Sequence, residues 1–138
     1  MSPAERALAA YTKAVAEKDV ELLVGLFDEQ VLLFDVWDQW SISGKAAWRS
    51  AVEEWLGSLG SDRVLVEFET VQETVSDGLV CASAFVTYTA FSLDGTRLRS
   101  HKERQTWVLS LKEEGWRVVH CHNSVPFGME TGKPLSRE

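Results

Sequence analysis

The first part of the chain repeats its apolar residues at helical intervals. Leu8, Tyr11 and Val15 fall on one stripe with alanines beside it, and this spacing predicts a first helix. Asp19 follows at a position where an N-cap would begin a second, short helix. The apolar residues of that second helix are Leu22, Leu23, Leu26 and Phe27.

A β-rich run and a third helix come next. The run "VLLFDVW", residues 31–37, predicts an entry strand. The segment "SGKAAWRSAVEEWLGSLG" opens behind Ser43 and stops at glycines, as helices commonly do. Its apolar residues recur at helical spacing and are Trp48, Val52, Trp55 and Leu56.

The second half of the chain changes to the two-residue period of strands. Four long runs are separated by the turn signals "SDG", "LDG" and "KEEG", which predict a four-stranded antiparallel meander. In the first run Val64, Val66 and Phe68 alternate with Glu67 and Glu69, so one face is buried and the other is at least partly wet.

This order of elements predicts an α+β domain in which helices pack on one face of a strongly curved sheet. A pocket between the helices and the concave face of that sheet is the place to look for function. The length of 138 residues predicts one domain over residues 1–138. The last residues, 127–138, lack apolar periodicity and predict a turn that continues into a flexible tail.

Composition narrows the class of protein. The net charge of −7 argues against nucleic-acid binding, and no apolar stretch is long enough to span a membrane. The N-terminus shows no signal peptide, which predicts a cytoplasmic protein. Cys81 and Cys121 are then expected to be free thiols.

Three pieces of the sequence resemble the SnoaL-like branch of the nuclear-transport-factor-2-like (NTF2-like) superfamily. They are the opening "YTKAVAEKDVELLVGLFDEQVLLFD", Gly44 before the third helix, and the ending "RQTWVLSLKEEGWRVVHCHNS". The ending is also similar to the association domain of calcium/calmodulin-dependent kinase II. The resemblance implies a cystatin-like cone of three N-terminal helices on a curved, mainly antiparallel sheet that encloses a pocket, and it implies a homodimer.

The ketosteroid isomerases of this superfamily allow a sharper comparison. Their helix-one tyrosine and entry-strand aspartate base match Tyr11 and Asp35 without a gap. The strand that carries their second acid reads "SHKERQTWVLS" here and offers no aspartate. Val36 also stands where those enzymes usually have proline.

Asp35 is the candidate general base. One face of the predicted entry strand carries Val31, Leu33, Asp35 and Trp37. If that face lines the pocket, desolvation raises the pKa of Asp35 and makes it a usable base near neutrality. In the alternative, the opposite face packs in the core and Asp35 lies at the rim. Two roles are open for Tyr11. It is either a hydrogen-bond donor to the substrate or a core tyrosine whose hydroxyl is hydrogen-bonded to a neighbouring residue.

The last strand supplies two histidines. One face is predicted to carry Trp116, Val118, His120, His122 and Ser124, with Cys121 opposite. We expect His122 to point into the pocket, where Tyr11, Arg104 or His122 would donate to a developing oxyanion, and His120 to pack deeper as a neutral ring. No third ligand stands at a diagnostic spacing, so we expect no metal and no other cofactor.

The remaining candidates are residues that would bind substrate. Arg104 either faces inward, where it pairs with Asp35 or binds a ligand carboxylate or enolate, or lies in water at the strand edge. The full predicted substrate-binding set is Trp37, Trp40, Trp48, Tyr88, Arg104, His120 and Ser124. The tryptophans favour a small hydrophobic or aromatic ligand.

Two functions of different class are compatible with these residues. The first is a cofactor-independent isomerase, cyclase or dehydratase that uses Asp35 as general base on a hydrophobic carbonyl substrate. The second is a non-catalytic module that binds a ligand or mediates oligomerisation.

Overall fold

The computed structural model describes residues 1–135 and contains three helices and six strands. In chain order they are α1 (Pro3–Glu17), α2 (Val20–Gly25), β1 (Phe27–Phe34), β2 (Ile42–Ser43), α3 (Lys45–Ser58), β3 (Arg63–Ser76), β4 (Leu79–Phe91), β5 (Arg97–Lys112) and β6 (Gly115–Ser124). The fold is α+β, and the predicted antiparallel meander is the run from β3 to β6.

Local hydrogen bonds fix where the first helices begin. Ser2 accepts the backbone N–H of Glu5 at 3.0 Å and caps α1, and Asp19 accepts the N–H of Leu22 at 3.0 Å and caps α2. Phe27 is not part of the second helix as predicted. The carbonyl of Leu26 accepts the N–H of Val118 at 2.8 Å, so sheet pairing takes over from the helix at this point.

The entry strand is shifted toward the N-terminus relative to its prediction. It ends at Phe34, so Asp35 follows the strand and does not lie within it. Gly44 begins α3 with φ of 89°, a left-handed conformation that favours glycine, and its N–H donates to the carbonyl of Val31 at 2.7 Å. That bond and the pairing of β1 with β2 fold the loop after Asp35 back onto the sheet.

The sheet order is β2-β1-β6-β5-β4-β3. Only the β1–β6 pair is parallel among these strands, so the sheet is mainly antiparallel, as predicted. The pairing places the end of β1 two strands away from the middle of β5. This arrangement brings the segment after β1 and the residues of β5 to the same cavity.

A bulge in β6 changes which side chains face inward. His120 pairs with Val108 and Val118 pairs with Leu109, so Val119 is an extra residue on β6. Val118 is buried before the bulge, and Cys121 and Asn123 are buried after it. The alternation of faces therefore reverses within this strand.

The core lies between the helices and the inner face of the sheet. Trp107 of β5 is its largest fully buried side chain, 1% exposed. Its ring packs edge-on against Tyr11 of α1 at 5.5 Å and against Phe27 of β1 at 5.7 Å between ring centroids. These contacts hold α1 against the sheet and fix the position of the Tyr11 hydroxyl.

The segment after β6 closes into a turn. Phe127 bridges Pro134, and the N–H of Gly128 donates to the carbonyl of Lys133 at 2.8 Å. The predicted tail therefore has defined pairing up to Leu135, and residues 136–138 lie outside the described part of the chain. In residues 1–135 no helix has the length and apolar content needed to cross a membrane.

Candidate functional site

A cavity of about 550 Å³ lies between α3, the inner face of β3 to β5 and the loop after β1. This volume is within the range of small-molecule sites. A smaller pocket of about 30 Å³ borders it among more deeply buried residues. The residues that line both spaces are Tyr11, Asp35, Trp48 and Tyr88.

Asp35 places a carboxyl group on the wall of this cavity. Its Oδ1 accepts the backbone N–H of Val36 at 2.8 Å, and within residues 1–135 no side chain hydrogen-bonds or ion-pairs with it. Burial raises the pKa of Asp35 above its ordinary value, opposed by the Val36 N–H and by the charge of His101. The group is thus a half-buried carboxylate with an oxygen free for a ligand.

Tyr11 and Tyr88 bring two phenols together in the cavity. Their oxygens lie 3.2 Å apart, and each ring packs edge-on against a tryptophan, Tyr11 against Trp107 and Tyr88 against Trp55. Burial raises the pKa of both phenols well above the ordinary value, so both remain protonated. The pair can donate a hydrogen bond but does not act as a base at neutral pH.

Glu103 is a buried acid on β5, 4% exposed, and it is held by two partners. Its Oε1 accepts from Nδ2 of Asn123 at 2.7 Å, and its Oε2 lies 2.8 Å from Nε2 of His101. Burial raises the pKa of Glu103; the Asn123 hydrogen bond opposes this and the charge of Asp35 adds to it. The cavity therefore contains two carboxyl groups that both hold protons more tightly than ordinary acids.

Asn123 links this acid to the cysteine below it. The thiol of Cys121 donates to Oδ1 of Asn123 at 3.1 Å. Burial raises the pKa of the Cys121 thiol, so it remains protonated and is not a nucleophile at neutral pH. Cys81 is the second free thiol and is exposed.

Sequence reasoning missed Glu103 and His101. Trp107 and Leu109 are buried residues of β5, and the two-residue period of a strand places Gln105, Glu103 and His101 on the same inner face. The apolar residues Trp107 and Leu109 were therefore the sequence signal from which the inward position of Glu103 could have been predicted. The ketosteroid isomerases carry an aspartate as their second acid, and a glutamate two positions from Gln105 does not match that pattern.

Half of the predicted site residues line the cavity. These are Tyr11, Asp35, Trp37, Trp48 and Tyr88. Trp40 does not, because its side chain is 97% exposed beyond the end of β1.

The other predicted site residues lie on the outer face of the sheet, away from the helices. The prediction that they line the pocket was therefore wrong. They are Arg104, His120, His122 and Ser124. Arg104 donates from Nε to Oγ of Ser124 at 3.1 Å and does not pair with Asp35. Nδ1 of His120 lies 2.7 Å from the carbonyl oxygen of Leu32, another outer-face residue.

The bulge at Val119 explains why the two histidines of β6 were predicted on the wrong face of the sheet. Without it, the face of Val118 would continue through His120 and His122. With it, His122 pairs with Thr106 and is exposed. Among residues 1–135 no three His, Cys, Asp or Glu side chains are grouped closely enough to hold a metal ion.

Comparison with solved structures gives the same fold. An NTF2-like protein of unknown function from Pseudomonas putida is 21% identical, with TM-score 0.83, and the match covers 98% of this chain and 92% of that one. Aln2 from a Streptomyces species is 15% identical, with TM-score 0.77 and coverage of 88% and 87%. A protein from Catenulispora acidiphila, solved in complex with S-DNPA, is 15% identical, with TM-score 0.74 and coverage of 88% and 90%.

These likenesses establish a cystatin-like, NTF2-like fold and leave the activity open. No match was found among curated proteins. The family model for the SnoaL-like domain matches residues 4–128, which is nearly the whole chain. The chain therefore belongs to the SnoaL-like family.

Proposed function

We propose that the protein binds a small hydrophobic carbonyl compound in the cavity and uses Asp35 as the general base that removes a proton next to the carbonyl. The observation that carries this proposal is the Asp35 carboxylate on the cavity wall, without a side-chain partner among the described residues. A half-buried carboxylate with a raised pKa is a better proton acceptor than an exposed one at neutral pH.

The Tyr11–Tyr88 pair supplies the complementary donor. Proton removal next to a carbonyl places negative charge on its oxygen, and a buried, neutral phenol stabilises that charge by donating a hydrogen bond. Trp37 and Trp48 provide flat apolar surface for the rest of the ligand.

This machinery needs no cofactor, and it serves an isomerase, a cyclase or a dehydratase, which all begin with the same proton removal. The Catenulispora acidiphila neighbour was solved with S-DNPA bound. A ligand in that protein agrees with a ligand in this cavity. The second candidate function is ligand binding without turnover, and it is favoured by the same cavity, whose wall includes Trp37, Trp48 and Trp55.

A β-aryloxy ketone tests both functions. The probe is ethyl methyl ketone with a para-nitrophenoxy group on the carbon β to the carbonyl, hereafter the para-nitrophenoxy ketone. Removal of the α proton expels coloured para-nitrophenolate. We expect the protein to accelerate this release and Asp35→Asn to lower kcat/KM by about 100-fold or more.

The matched control is Asp38→Asn. Asp38 also lines the cavity, and asparagine tolerates its left-handed φ of 61°. We expect this variant to keep the wild-type rate. Quenching of tryptophan fluorescence by the ketone without any release of para-nitrophenolate would overturn catalysis and establish the binding function.

A further inference from the structure

His101 is an imidazole on the cavity wall with one nitrogen engaged and the other free. Its Nε2 lies 2.8 Å from Oε2 of Glu103, and within residues 1–135 no group hydrogen-bonds its Nδ1. The ring packs against the indole of Trp37 at 5.2 Å between centroids. Glu103 and Trp37 together fix the ring and leave Nδ1 available to a ligand.

The pair formed by His101 and Glu103 can store a proton for transfer. When the pair holds two protons, one lies between Nε2 and Oε2 and the other is on Nδ1. This holds whether the shared proton is nearer to the histidine or to the acid. Burial and the charge of Asp35 raise the pKa of Glu103 against the opposing hydrogen bond from Asn123, so this acid holds a proton more tightly while Asp35 is ionised.

The pair and Asp35 reach the cavity from different elements. Asp35 follows β1 and His101 lies on β5, and β6 runs between these two strands. Two strand spacings separate β1 from β5 by about 10 Å, and the pairing of Phe34 with His122 and of His122 with Thr106 places His101 further along the sheet from Asp35. The two groups are therefore placed to act on different atoms of one bound molecule.

We propose that His101 is the general acid of the reaction, that Glu103 is its positioning residue, and that the substrate is a carbonyl compound with an oxygen leaving group β to the carbonyl. This inference rests on the function proposed above and selects β-elimination, with loss of water or an alcohol, from the three reaction classes.

Each proton and each electron pair of this elimination has a defined destination. Asp35 takes the proton from the α carbon, and the electrons of that C–H bond form the new C=C bond. The C–O bond to the leaving group breaks, and its electron pair stays on oxygen. His101 delivers its Nδ1 proton to that oxygen. Transfer of the proton from Asp35 to water, and from water to His101, restores the starting state.

Two ketones that differ only in the leaving group test this role. The first is the para-nitrophenoxy ketone, whose leaving group departs as a stable anion without a proton. The second is the corresponding phenoxy ketone, whose leaving group is a stronger base and needs protonation. A general acid therefore accelerates only the phenoxy ketone to a large extent.

We expect His101→Asn to lower kcat for the phenoxy ketone by about 100-fold and for the para-nitrophenoxy ketone by less than about 3-fold. Asp35→Asn should lower both. Glu103→Gln keeps an oxygen for Asn123 but cannot hold the second proton, so it should repeat the leaving-group dependence of His101→Asn. His122→Asn, on the outer face, is the histidine control and should change neither rate.

Equal losses for the two ketones in His101→Asn, or no loss for either, would overturn the role of His101 while leaving Asp35 as base. Unchanged rates in Asp35→Asn, or a wild-type protein that accelerates neither ketone, would overturn the proposed function and this inference with it. Melting temperatures close to that of the wild type show that each variant is folded.

Discussion

The hydroxyl oxygens of Tyr11 and Tyr88 lie 3.2 Å apart, although 77 positions separate the two residues in the sequence. One phenol is the donor of this hydrogen bond, so the proton of the other remains for a ligand. The pair depends on α1 packing against the sheet through Trp107. Helix packing thereby completes the donor group of the cavity.

The first prediction concerns this pair. Tyr11→Phe and Tyr88→Phe should each lower kcat for the para-nitrophenoxy ketone by about 100-fold, because each removes the donor or its support. The double variant should be no slower than the slower single variant, since the two hydroxyls act as one unit. Losses that multiply in the double variant would contradict a shared role.

A second prediction separates binding from chemistry at the cavity mouth. Trp37 lines the cavity and Trp40 is almost fully exposed, so they form a matched pair of tryptophans. Trp37→Leu should raise KM for the para-nitrophenoxy ketone by about 10-fold through lost aromatic contact, with a smaller change in kcat. Trp40→Leu should leave both constants unchanged. A larger effect of Trp40→Leu would contradict the assignment of the cavity wall.

A third prediction follows from the raised pKa of Asp35. The base must be ionised to accept a proton, so kcat/KM for the para-nitrophenoxy ketone should rise with pH through a midpoint above 3.8, the ordinary aspartate value. The acidic limb should disappear, together with most of the rate, in Asp35→Asn. A limb that persists unchanged in this variant would assign the titration to another group.

Much of the fold follows from local patterns. The helical stripe of Leu8, Tyr11 and Val15 and the turn signals between the long strands predict α1 and the meander, because each depends on residues close in sequence. The short strand β2 was not predicted. Its formation depends on pairing with β1, which no local pattern shows.

The site was partly predictable from the resemblance to a known family. Tyr11 and Asp35 were found because they match the tyrosine and the aspartate base of the ketosteroid isomerases, whereas the position of Glu103 depends on the face that β5 presents. His122 was predicted on the wrong face because one extra residue, Val119, reverses the faces of β6. A bulge leaves no regular signature in the sequence, so the direction of the two histidines required the three-dimensional pairing.

A last prediction concerns stability and its dependence on pH. The folded protein holds the proton of Asp35 more tightly than the unfolded chain does, because burial raises the pKa. The stabilisation that protonated Asp35 contributes is therefore fully present below the ordinary value of 3.8 and is lost as the pH rises through the folded pKa. Asparagine is neutral at every pH and can keep the hydrogen bond from the N–H of Val36.

Asp35→Asn should therefore melt at the wild-type temperature or up to about 5 °C above it at neutral pH. The gain relative to the wild type should shrink toward acidic pH, where Asp35 itself becomes neutral. Thermal melts of both proteins across this pH range measure the difference, and the exposed acids Glu21 and Asp94, whose pKa values are lowered by hydrogen bonds, contribute equally to both and cancel. A clear fall in melting temperature at neutral pH would make the Asp35 carboxylate a structural group, because a base retained for catalysis lowers stability and does not raise it.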